Sequence, residues 1–425
     1  MESSKTPFDI AIIGAGIGGL ALAIGLLRQN VTYTLYEGAS EYAAVGAGVA
    51  LGPNALRAMD LIDSRFRGLY DSISTGNTSP EKEHSMMEAL MIEEGFGEKH
   101  GWTGASWGSK HARTSAHRKA LLDIMTSLIP LSTVKFNKRV NTLHQEGTRV
   151  FITFEDGEVV EADAVVGCDG IKSITRRAVL GATHPDLVEP TYAGRYAYRA
   201  IVPMQEAVKI IGCYAPDATM FMGPGASMSV YPISKGTECN VVALKKDNQP
   251  WIHKEFTKEV TREEMVGDFN IDSRLVKLLE WAKPLRWSLH HHISTPTYFK
   301  NCICILGDSA HASTPFQAAG AAQCLEDALI LSRLLGLVQN SIDILNVFKV
   351  YDLIRRPRAQ HVVQTSIEAG EIFSFSHPEI GNDMKKIVEN CNRRFEWIWE
   401  HDLEADVKEA EEQFRILTMQ GEQID

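Results

Sequence analysis

This 425-residue sequence has little of three things: long apolar runs, an excess of basic residues, and an apolar N-terminal segment of the kind that a secretory signal carries. No stretch is continuously apolar over the roughly 20 residues that a transmembrane helix requires. The first residues, MESSKTP, carry no apolar segment of their own. The formal net charge of −11 argues against non-specific binding to nucleic acid. The sequence therefore predicts a cytoplasmic protein with no membrane span and no nucleic-acid partner.

Clustered metal ligands and paired cysteines are missing too. The seven cysteines are scattered, mostly inside apolar runs, as reduced core residues are. Cys302 and Cys304 are separated by one residue, which is neither metal-ligand nor redox-motif spacing. His290, His291 and His292 are consecutive, and neighbours on a strand point to opposite faces. We therefore expect no metal and no disulfide framework.

The stretch around which the chain is organised covers residues 8–37. The apolar residues 8–13 predict a buried parallel strand, and the glycine-rich residues 14–19 predict a turn into a helix. A second strand over Thr32–Tyr36 ends at Glu37, an acid. This order of strand, glycine turn, helix, strand and acid predicts an adenine dinucleotide site.

Each residue of this fingerprint has a physical task. Gly14 permits the tight turn, Gly16 lets the backbone approach a pyrophosphate, and Gly19 allows close packing of helix on strand. Free N–H groups at the start of the helix face the phosphate charge. Glu37 is placed to accept hydrogen bonds from a ribose diol.

Two later segments also end an apolar strand in glycine and aspartate, namely Asp169-Gly170 and Gly307-Asp308. In an open α/β sheet, ligands lie outside the carboxyl ends of the strands. We therefore expect both segments to converge with Gly14 on one long cofactor. There is only one complete glycine fingerprint, so a second dinucleotide domain is not expected.

The alternation of patterns predicts an α/β protein with two further parts. A Rossmann-like domain is expected over residues 1–190 and 290–345, interrupted by an antiparallel β-sheet substrate domain over residues 191–289. Residues 346–425 are predicted to form a helical C-terminal region.

Several local elements are also predicted. Residues 45–54 form a glycine-rich loop whose last residue, Asn54, is expected to cap the next helix. One short helical piece is expected over residues 262–281 and a longer helix over Gly320–Leu335.

The order of these motifs resembles that of the single-component FAD-dependent aromatic hydroxylases, especially salicylate hydroxylases and fungal monooxygenases of polyketide phenols. The resemblance extends over nearly the whole chain. It implies that the Rossmann-like domain binds FAD and that NAD(P)H and O2 are co-substrates. A single fingerprint agrees with a nicotinamide that docks transiently, reduces the flavin and leaves.

The resemblance assigns cofactor-binding roles along the chain. Gly14, Gly16, Gly19 and Glu37 correspond to the family's adenosine end. The remaining matches follow the cofactor toward its ring: Arg118 near the pyrophosphate, Asp169 and Gly170 with Ser173 and Arg176 in the DG motif, Asp308 at the ribityl hydroxyls, and residues 315–320, ending at Gly320, beside the flavin.

The sequence departs from the family pattern at two places. Glu37 is followed by Gly38-Ala39 where a basic residue is common, which removes one adenosine-side contact. Phe316 stands where salicylate hydroxylases usually carry histidine, which weakens an assignment of salicylate itself. Phe316 and Gln317 are still predicted to line the pocket. His311 is expected near the flavin, as a packing or a catalytic residue.

The resemblance implies hydroxylation of a phenolic ring, salicylate-like or polyketide-derived, by a flavin C4a-hydroperoxide. A phenolate is attacked more readily than a phenol, so a cation or a hydrogen-bond donor beside the ring lowers the barrier. Arg199 and Tyr231, on strands of the substrate domain, resemble the Arg and Tyr pair that holds the phenolate in fungal dearomatising hydroxylases. They are the predicted catalytic residues, with Arg195 as the competitor of Arg199.

Two alternatives remain open at this point. One is a flavin-dependent epoxidase or oxidase that acts on a non-phenolic metabolite, and the other is a non-catalytic flavoprotein that senses redox state. The chain is expected to be a monomer or a homodimer. The choice between NADH and NADPH, the ring position, and accompanying decarboxylation or dearomatisation stay open as well.

Overall fold

The structure, a computed structural model, describes residues 8–42, 48–108 and 111–421. The first residues of the predicted glycine-rich loop, 45–47, lie outside the described residues. Within the described ranges, no helix combines the length and the apolar character that a bilayer-spanning segment needs.

The described strands are, in chain order, β1 (Asp9–Ile13), β2 (Thr32–Tyr36), β3 (Gly48–Leu51), β4 (Ser85–Met91), β5 (Ala105–Gly108), β6 (Thr114–His117), β7 (Val134–Lys135), β8 (Val140–Glu146), β9 (Arg149–Phe154), β10 (Val159–Ala162), β11 (Ala164–Gly167), β12 (Thr191–Pro203), β13 (Thr219–Gly223), β14 (Ala226–Ile233), β15 (Glu238–Lys246), β16 (Thr257–Glu259), β17 (Leu285–His291), β18 (Phe299–Lys300) and β19 (Ile303–Ile305).

The described α-helices are α1 (Ile17–Arg28), α2 (Pro53–Ile62), α3 (Ser64–Ile73), α4 (Arg118–Thr126), α5 (Ile174–Leu180), α6 (Met204–Ile211), α7 (Arg262–Gly267), α8 (Ser273–Leu279), α9 (Asp308–His311), α10 (Gly320–Leu335), α11 (Ile344–Phe373), α12 (Met384–Trp399) and α13 (Leu403–Gly421).

A mostly parallel sheet in the order β18-β19-β11-β1-β2-β7 forms the centre of the Rossmann-like part. Only the edge strand β18 is antiparallel to its neighbour. Strand β1 lies between β11 and β2, with Ile13 opposite both Gly167 and Tyr36. The carboxyl ends of β19, β11, β1 and β2 therefore meet at one edge, which confirms the predicted α/β fold.

Helix α1 is buried along nearly its whole length because its small residues let neighbours approach. A Cβ at Gly19 would lie 1.9 Å from the carbonyl oxygen of Gly14, and one at Gly25 would lie 2.4 Å from Ser332 Oγ on α10. A side chain at either position would push α1 away from the sheet or from α10.

The second large sheet has eight strands in the order β16-β17-β12-β15-β14-β13-β4-β5. Most come from the predicted substrate domain, residues 191–289. Strands β4 and β5 come from earlier in the chain, and β4 pairs in parallel with β13. Chain segments from both sides of residue 190 therefore build this sheet.

Helices α11 and α12 cover one face of the eight-stranded sheet. A buried apolar cluster joins Phe373 of α11 and Phe395 of α12 to Met87 and Tyr231 of the sheet. Trp399 of α12 also packs on the turn before α2, where a Cβ at Gly52 would lie 2.3 Å from its Nε1. The C-terminal helices thus close the space between the two sheets.

Two local predictions are wrong. Gly52, not Asn54, is the N-cap of α2, and the Asn54 side chain instead donates a hydrogen bond to Glu326 Oε1 over 2.7 Å. The predicted helical piece over residues 262–281 is two helices, because Asp272 accepts from the Arg274 N–H and starts a new one.

Candidate active site

A cavity of about 390 Å³ lies between the parallel sheet and the eight-stranded sheet. One wall is made by the glycine turn, Arg118 and the segment after β19. The opposite wall is made by side chains of β12, β13, β14 and β15 together with Phe373 and Phe395. The residues that line the cavity include Gly16, Arg118, Gly170, Gly307, Asp308, Gly320, Arg199, Met220, Tyr231 and Asn240.

The glycine turn is shaped for close approach by a ligand. Gly14 has φ +99°, and a Cβ there would lie 2.5 Å from the carbonyl oxygen of Cys168. Gly16 is the N-cap of α1 and carries no capping side chain, so the first N–H groups of the helix are free for a phosphate. A Cβ at Gly16 would meet no protein atom within 4 Å, so its open face borders the cavity.

A second pocket, of about 340 Å³, continues from this turn to Glu37. The Glu37 carboxylate accepts hydrogen bonds from the Ala15 and Ala39 N–H groups, each over 2.8 Å. A carboxylate offers about four lone-pair sites, so these two bonds leave capacity for ribose hydroxyls. The pocket is thus suited to the adenosine end of a dinucleotide.

Asp169 lines the same pocket, but its side chain already has partners in the protein. It accepts from Ser173 Oγ at 2.5 Å and from the Thr175 N–H at 3.0 Å, which fixes the start of α5. Burial raises the pKa of Asp169 against the lowering effect of these bonds. Arg176 is fully buried and donates to the carbonyl oxygens of Leu187 and Ser309. The structure thus gives Arg176 a structural position, outside both pockets.

Arg118 and Asp308 carry opposite charges into the cavity from two helix starts. Arg118 begins α4, and its Nε is buried without a hydrogen-bond partner in the described part of the chain. Asp308 begins α9 next to Gly307, and its carboxylate is exposed at the cavity. An arginine beside a diphosphate and an acid beside a polyol are favourable pairings.

Arg199 and Tyr231 lie on strands that flank β15, on the sheet wall of the cavity. Arg199 is opposite Val242, and Tyr231 is opposite Asn240. The guanidinium carbon of Arg199 lies 5.3 Å from the centroid of the Trp287 ring. Burial lowers the pKa of Arg199, and burial raises the pKa of Tyr231 against the charges of Arg113 and Arg199.

Arg195 does not compete for this position. Its Nη2 donates to Glu371 Oε1 over 2.8 Å and to Ser374 Oγ over 3.0 Å, so its charge is neutralised by α11. The structure brings Arg199, and not Arg195, to the cavity wall.

Comparison with known proteins decides the family. The model of a family described as FAD binding domain matches residues 7–366. An FAD-dependent monooxygenase of Gibberella moniliformis is 43% identical over 98% of both chains. A 6-methylsalicylate 1-monooxygenase of Aspergillus terreus is 37% identical over 95% of this chain and 91% of its own. A solved salicylate hydroxylase in complex with substrate superimposes with a TM-score of 0.83, at 30% identity over 95% of this chain and 98% of that one.

The chain belongs to the FAD-dependent monooxygenases. This membership confirms the predicted fold, the FAD cofactor and the predicted class of enzyme. The roles of individual site residues stay predictions, supported by their positions in the two pockets except for Gly19, which packs against the Gly14 carbonyl group and lines neither pocket.

The sheet wall of this monooxygenase carries buried hydrogen-bond donors that have no partner in the described chain. Trp107 Nε1 and Asn240 Nδ2 on this wall are buried without a hydrogen-bond partner in the described chain, and so are the three guanidinium nitrogens of Arg113, which does not itself line the cavity. Asp308, on the opposite wall, is the single carboxylate among the described cavity-lining residues. A ligand that meets the sheet wall therefore encounters donors and positive charge.

Phe316 and Gln317, both predicted to line the pocket, point in different directions in the structure. Phe316 lines the cavity. Gln317 turns away, with its Nε2 donating to Thr365 Oγ1 over 3.1 Å and its Oε1 accepting from Arg394. The prediction that Gln317 lines the pocket is wrong, because α11 and α12 satisfy its amide from behind.

The three consecutive histidines of the monooxygenase are held separately. His290 stacks on Phe256 with ring centroids 3.9 Å apart, and His292 Nε2 lies 3.2 Å from the Ile171 carbonyl oxygen. Burial lowers the pKa of His291 to about 4 and that of His292 to about 3, so both are neutral at pH 7. No group of three metal-ligating side chains occurs within the described ranges.

A buried network of charged residues lies behind the Gly307-Asp308 segment. It was not predicted from the sequence. His311 Nε2 lies 2.6 Å from Asp327 Oδ2, and Arg355 Nε donates to Asp327 Oδ1 over 2.9 Å. Arg355 Nη1 also lies 2.8 Å from Glu326 Oε2, in a charge contact that is not aligned as a hydrogen bond. Arg358 donates to the same carboxylate. The sequence signal for this network was two adjacent acids inside the mostly apolar helix α10.

Proposed function

We propose that this monooxygenase uses NAD(P)H and O2 to hydroxylate a phenolic substrate bound between Arg199 and Tyr231. The observation that carries the proposal is one continuous cavity, bordered on one side by Gly16, Gly307 and Asp308 and on the other by this Arg and Tyr pair. A cofactor on the first wall and a substrate on the second would be in contact.

The residues of the first wall fit an FAD. Gly16 offers open space and free helix N–H groups to a pyrophosphate. Arg118 has a buried Nε without a partner, and Asp308 has an exposed carboxylate suited to ribityl hydroxyls. We propose Gly14, Gly16, Gly19 and Glu37 for the adenosine end, with Asp169 and Gly320 contributing their backbone at the pyrophosphate and ring ends.

The residues of the second wall fit an acceptor-rich ring. When bound and reduced, the flavin supplies the electrons that convert O2 into an electrophilic oxygen atom. The positive charge of Arg199 stabilises a phenolate over a phenol, and the Tyr231 hydroxyl can donate a hydrogen bond to it. Met220 and Phe373 add apolar surface that keeps water from the reacting ring.

The relatives favour this proposal over both alternatives. The names of two relatives specify salicylate and 6-methylsalicylate, which are phenols with a neighbouring carboxylate. An anionic ring of this kind is complementary to the sheet wall, which offers hydrogen-bond donors and has no acid among its described residues. An epoxidase for an apolar alkene would have no use for the unpaired charge of Arg199.

The test is NAD(P)H consumption by the FAD-loaded protein in air, with salicylate, 6-methylsalicylate and carboxylate-free phenols. Their O-methyl ethers serve as matched controls because the methylated phenolic oxygen can no longer lose a proton. We expect phenols to stimulate consumption and to yield an oxygenated product, and the ethers to do neither. Equal stimulation by ethers, or turnover of an alkene alone, would favour the epoxidase. A flavin that NAD(P)H never reduces would favour the redox sensor.

We further propose the domain division predicted from the sequence, with β4 and β5 added to the substrate domain, together with a cytoplasmic location and a monomer or homodimer. Light scattering during size-exclusion chromatography measures the oligomeric state, and a fluorescent fusion locates the protein. A tetramer or an organelle signal would contradict these proposals.

A further inference from the structure

Arg113 is buried behind Tyr231, and no acid of the described chain pairs with its charge. Only 1% of its surface is exposed, and none of its three guanidinium nitrogens has a hydrogen-bond partner in the described part of the chain. Its guanidinium carbon lies 5.0 Å from the centroid of the Tyr231 ring. Arg113 itself does not line the cavity, whereas Tyr231 does.

An arrangement of this kind is costly. A buried cation without a paired anion loses its hydration, and an aromatic face returns only a small part of that loss. Burial lowers the pKa of Arg113 to about 10, so the residue stays protonated at neutral pH. The positive charge is therefore permanent under physiological conditions.

The neighbours of Arg113 do not neutralise it. Tyr70 and Tyr231 are the titratable groups that act on it, and burial raises the pKa of Tyr70 to about 12. Tyr70 donates its own hydroxyl proton to Thr114 Oγ1 over 2.9 Å. Both tyrosines are neutral at pH 7, so neither is a counter-ion.

The groups that face Tyr231 are also positive or neutral. They are Arg113, Arg199, the Asn240 amide and the Cys239 thiol. Burial raises the pKa of Cys239 to about 12, which keeps it neutral. Asn240 Oδ1 accepts from the Gly48 N–H over 3.2 Å, so its amide nitrogen is the end left free. Both arginines thus act on Tyr231, and no described acid is among the groups that do.

We propose that Arg113 is a positioning residue that acts through Tyr231 to make the cavity bind its phenol as the phenolate. Its charge polarises the Tyr231 hydroxyl, which becomes a stronger donor toward an anion in the cavity. The ligand anion then supplies the negative charge that the surrounding protein lacks. This inference rests on the proposed function, because it requires a phenol in the cavity.

The test compares wild type, R113M and R113K in the FAD-loaded form, with 4-nitrophenol as the probe. Difference absorbance near the phenolate band gives the pKa of the bound probe, and quenching of flavin fluorescence gives its Kd at each pH. We expect R113M to bind the phenolate roughly tenfold more weakly, which corresponds to a rise of about one unit in the pKa of the bound probe. Binding of the neutral phenol should change by less than about twofold.

R113K keeps a charge at this position and should restore much of the preference for phenolate. R195M removes a buried arginine that is already neutralised by Glu371 and should leave the preference unchanged. Flavin absorbance and thermal unfolding establish that each variant is folded. R113Q provides the same neutral comparison if R113M is unstable.

The outcomes separate the two proposals. A folded, FAD-loaded neutral variant with the wild-type phenolate preference would overturn the role of Arg113 and leave the proposed function intact. A wild-type protein that binds neither form of the probe and oxidises no phenol would overturn the proposed function itself.

Discussion

The Gly307 N–H donates a hydrogen bond to Asp327 Oδ2 over 3.1 Å, inside the protein. The same carboxylate oxygen is bound by His311, so one acid of α10 holds both ends of the turn that presents Asp308 to the cavity. Burial acts to raise the pKa of Asp327, but the charges of His311 and Arg355 outweigh it and leave it lowered. The position of Asp308 therefore depends on a charge network that lies behind it.

Replacement of Asp308 should release the cofactor without unfolding the protein. Asp308→Ala removes an exposed carboxylate that makes no hydrogen bond within the described chain. We expect FAD affinity to fall by roughly 10- to 100-fold, the value of one or two hydrogen bonds to a charged group. Asp308→Asn keeps part of the hydrogen bonding, so its FAD affinity should lie between those of wild type and Asp308→Ala. Titration of apoprotein with FAD measures this, and unchanged affinity in Asp308→Ala would remove the residue from the site.

Gly14→Val should abolish flavin binding through the backbone. The residue has φ +99°, and the new Cβ would lie 2.5 Å from the Cys168 carbonyl oxygen. We expect purified protein that is largely colourless and unfolds at a lower temperature than wild type. A variant with a full complement of flavin would contradict the proposed turn.

Gly16→Ala is the matched counterpart, because its Cβ meets no protein atom within 4 Å. We expect the melting temperature of the apoprotein to stay within about 2 °C of wild type, as for a surface substitution without strain. FAD affinity should still fall, since the methyl group occupies space proposed for the pyrophosphate. A Gly16→Ala apoprotein that is destabilised but binds FAD normally would contradict this prediction.

Arg199→Ala should keep FAD and lose turnover. Removal of one charged group that stabilises developing negative charge typically costs roughly 100-fold in rate. The flavin absorbance should match wild type, while kcat/KM for a phenol falls by that order. Arg195→Ala, which lies on the same strand but pairs with Glu371, is the control for general disturbance of the sheet. Wild-type turnover in Arg199→Ala would remove it from the mechanism.

Glu326 should make the protein sensitive to acid. Burial acts to raise its pKa, but Arg355 and Arg358 outweigh burial and lower it to about 2, below the ordinary 4.5. A lowered folded-state pKa contributes stability above pH 4.5 that is lost as the pH falls toward 2. We expect urea midpoints to fall across this window in wild type and to fall less in Glu326→Gln. If the urea midpoints of wild type and Glu326→Gln fell equally with pH, the lowered pKa of Glu326 would be contradicted.

Features encoded within a short stretch were predictable. The glycine turn follows from residues 8–37, and α10 has the predicted bounds Gly320–Leu335 because its apolar spacing and flanking glycines are local signals. Asp308 and Arg118 were found through the resemblance and do border the cavity.

Features that depend on distant partners were not predictable. The Asn54 amide is bound to Glu326, 272 positions along the chain, and this pairing overrides its local capping preference. Gln317 is turned by α11 and α12, and β4 joins the large sheet by pairing with β13, more than a hundred residues later. The role proposed for Arg113 could not be predicted from the sequence, because it depends on the absence of a counter-ion around this buried residue in the described chain.

The walls of the cavity are drawn from positions as far apart as Gly16 and Phe395. A chain that folds from its N-terminus while it is still being synthesised can form the glycine turn early, but it cannot enclose the ring end until α12 has left the ribosome. We therefore expect nascent chains to hold nucleotide loosely by its adenine end, and the yellow holoprotein to mature only after translation is complete.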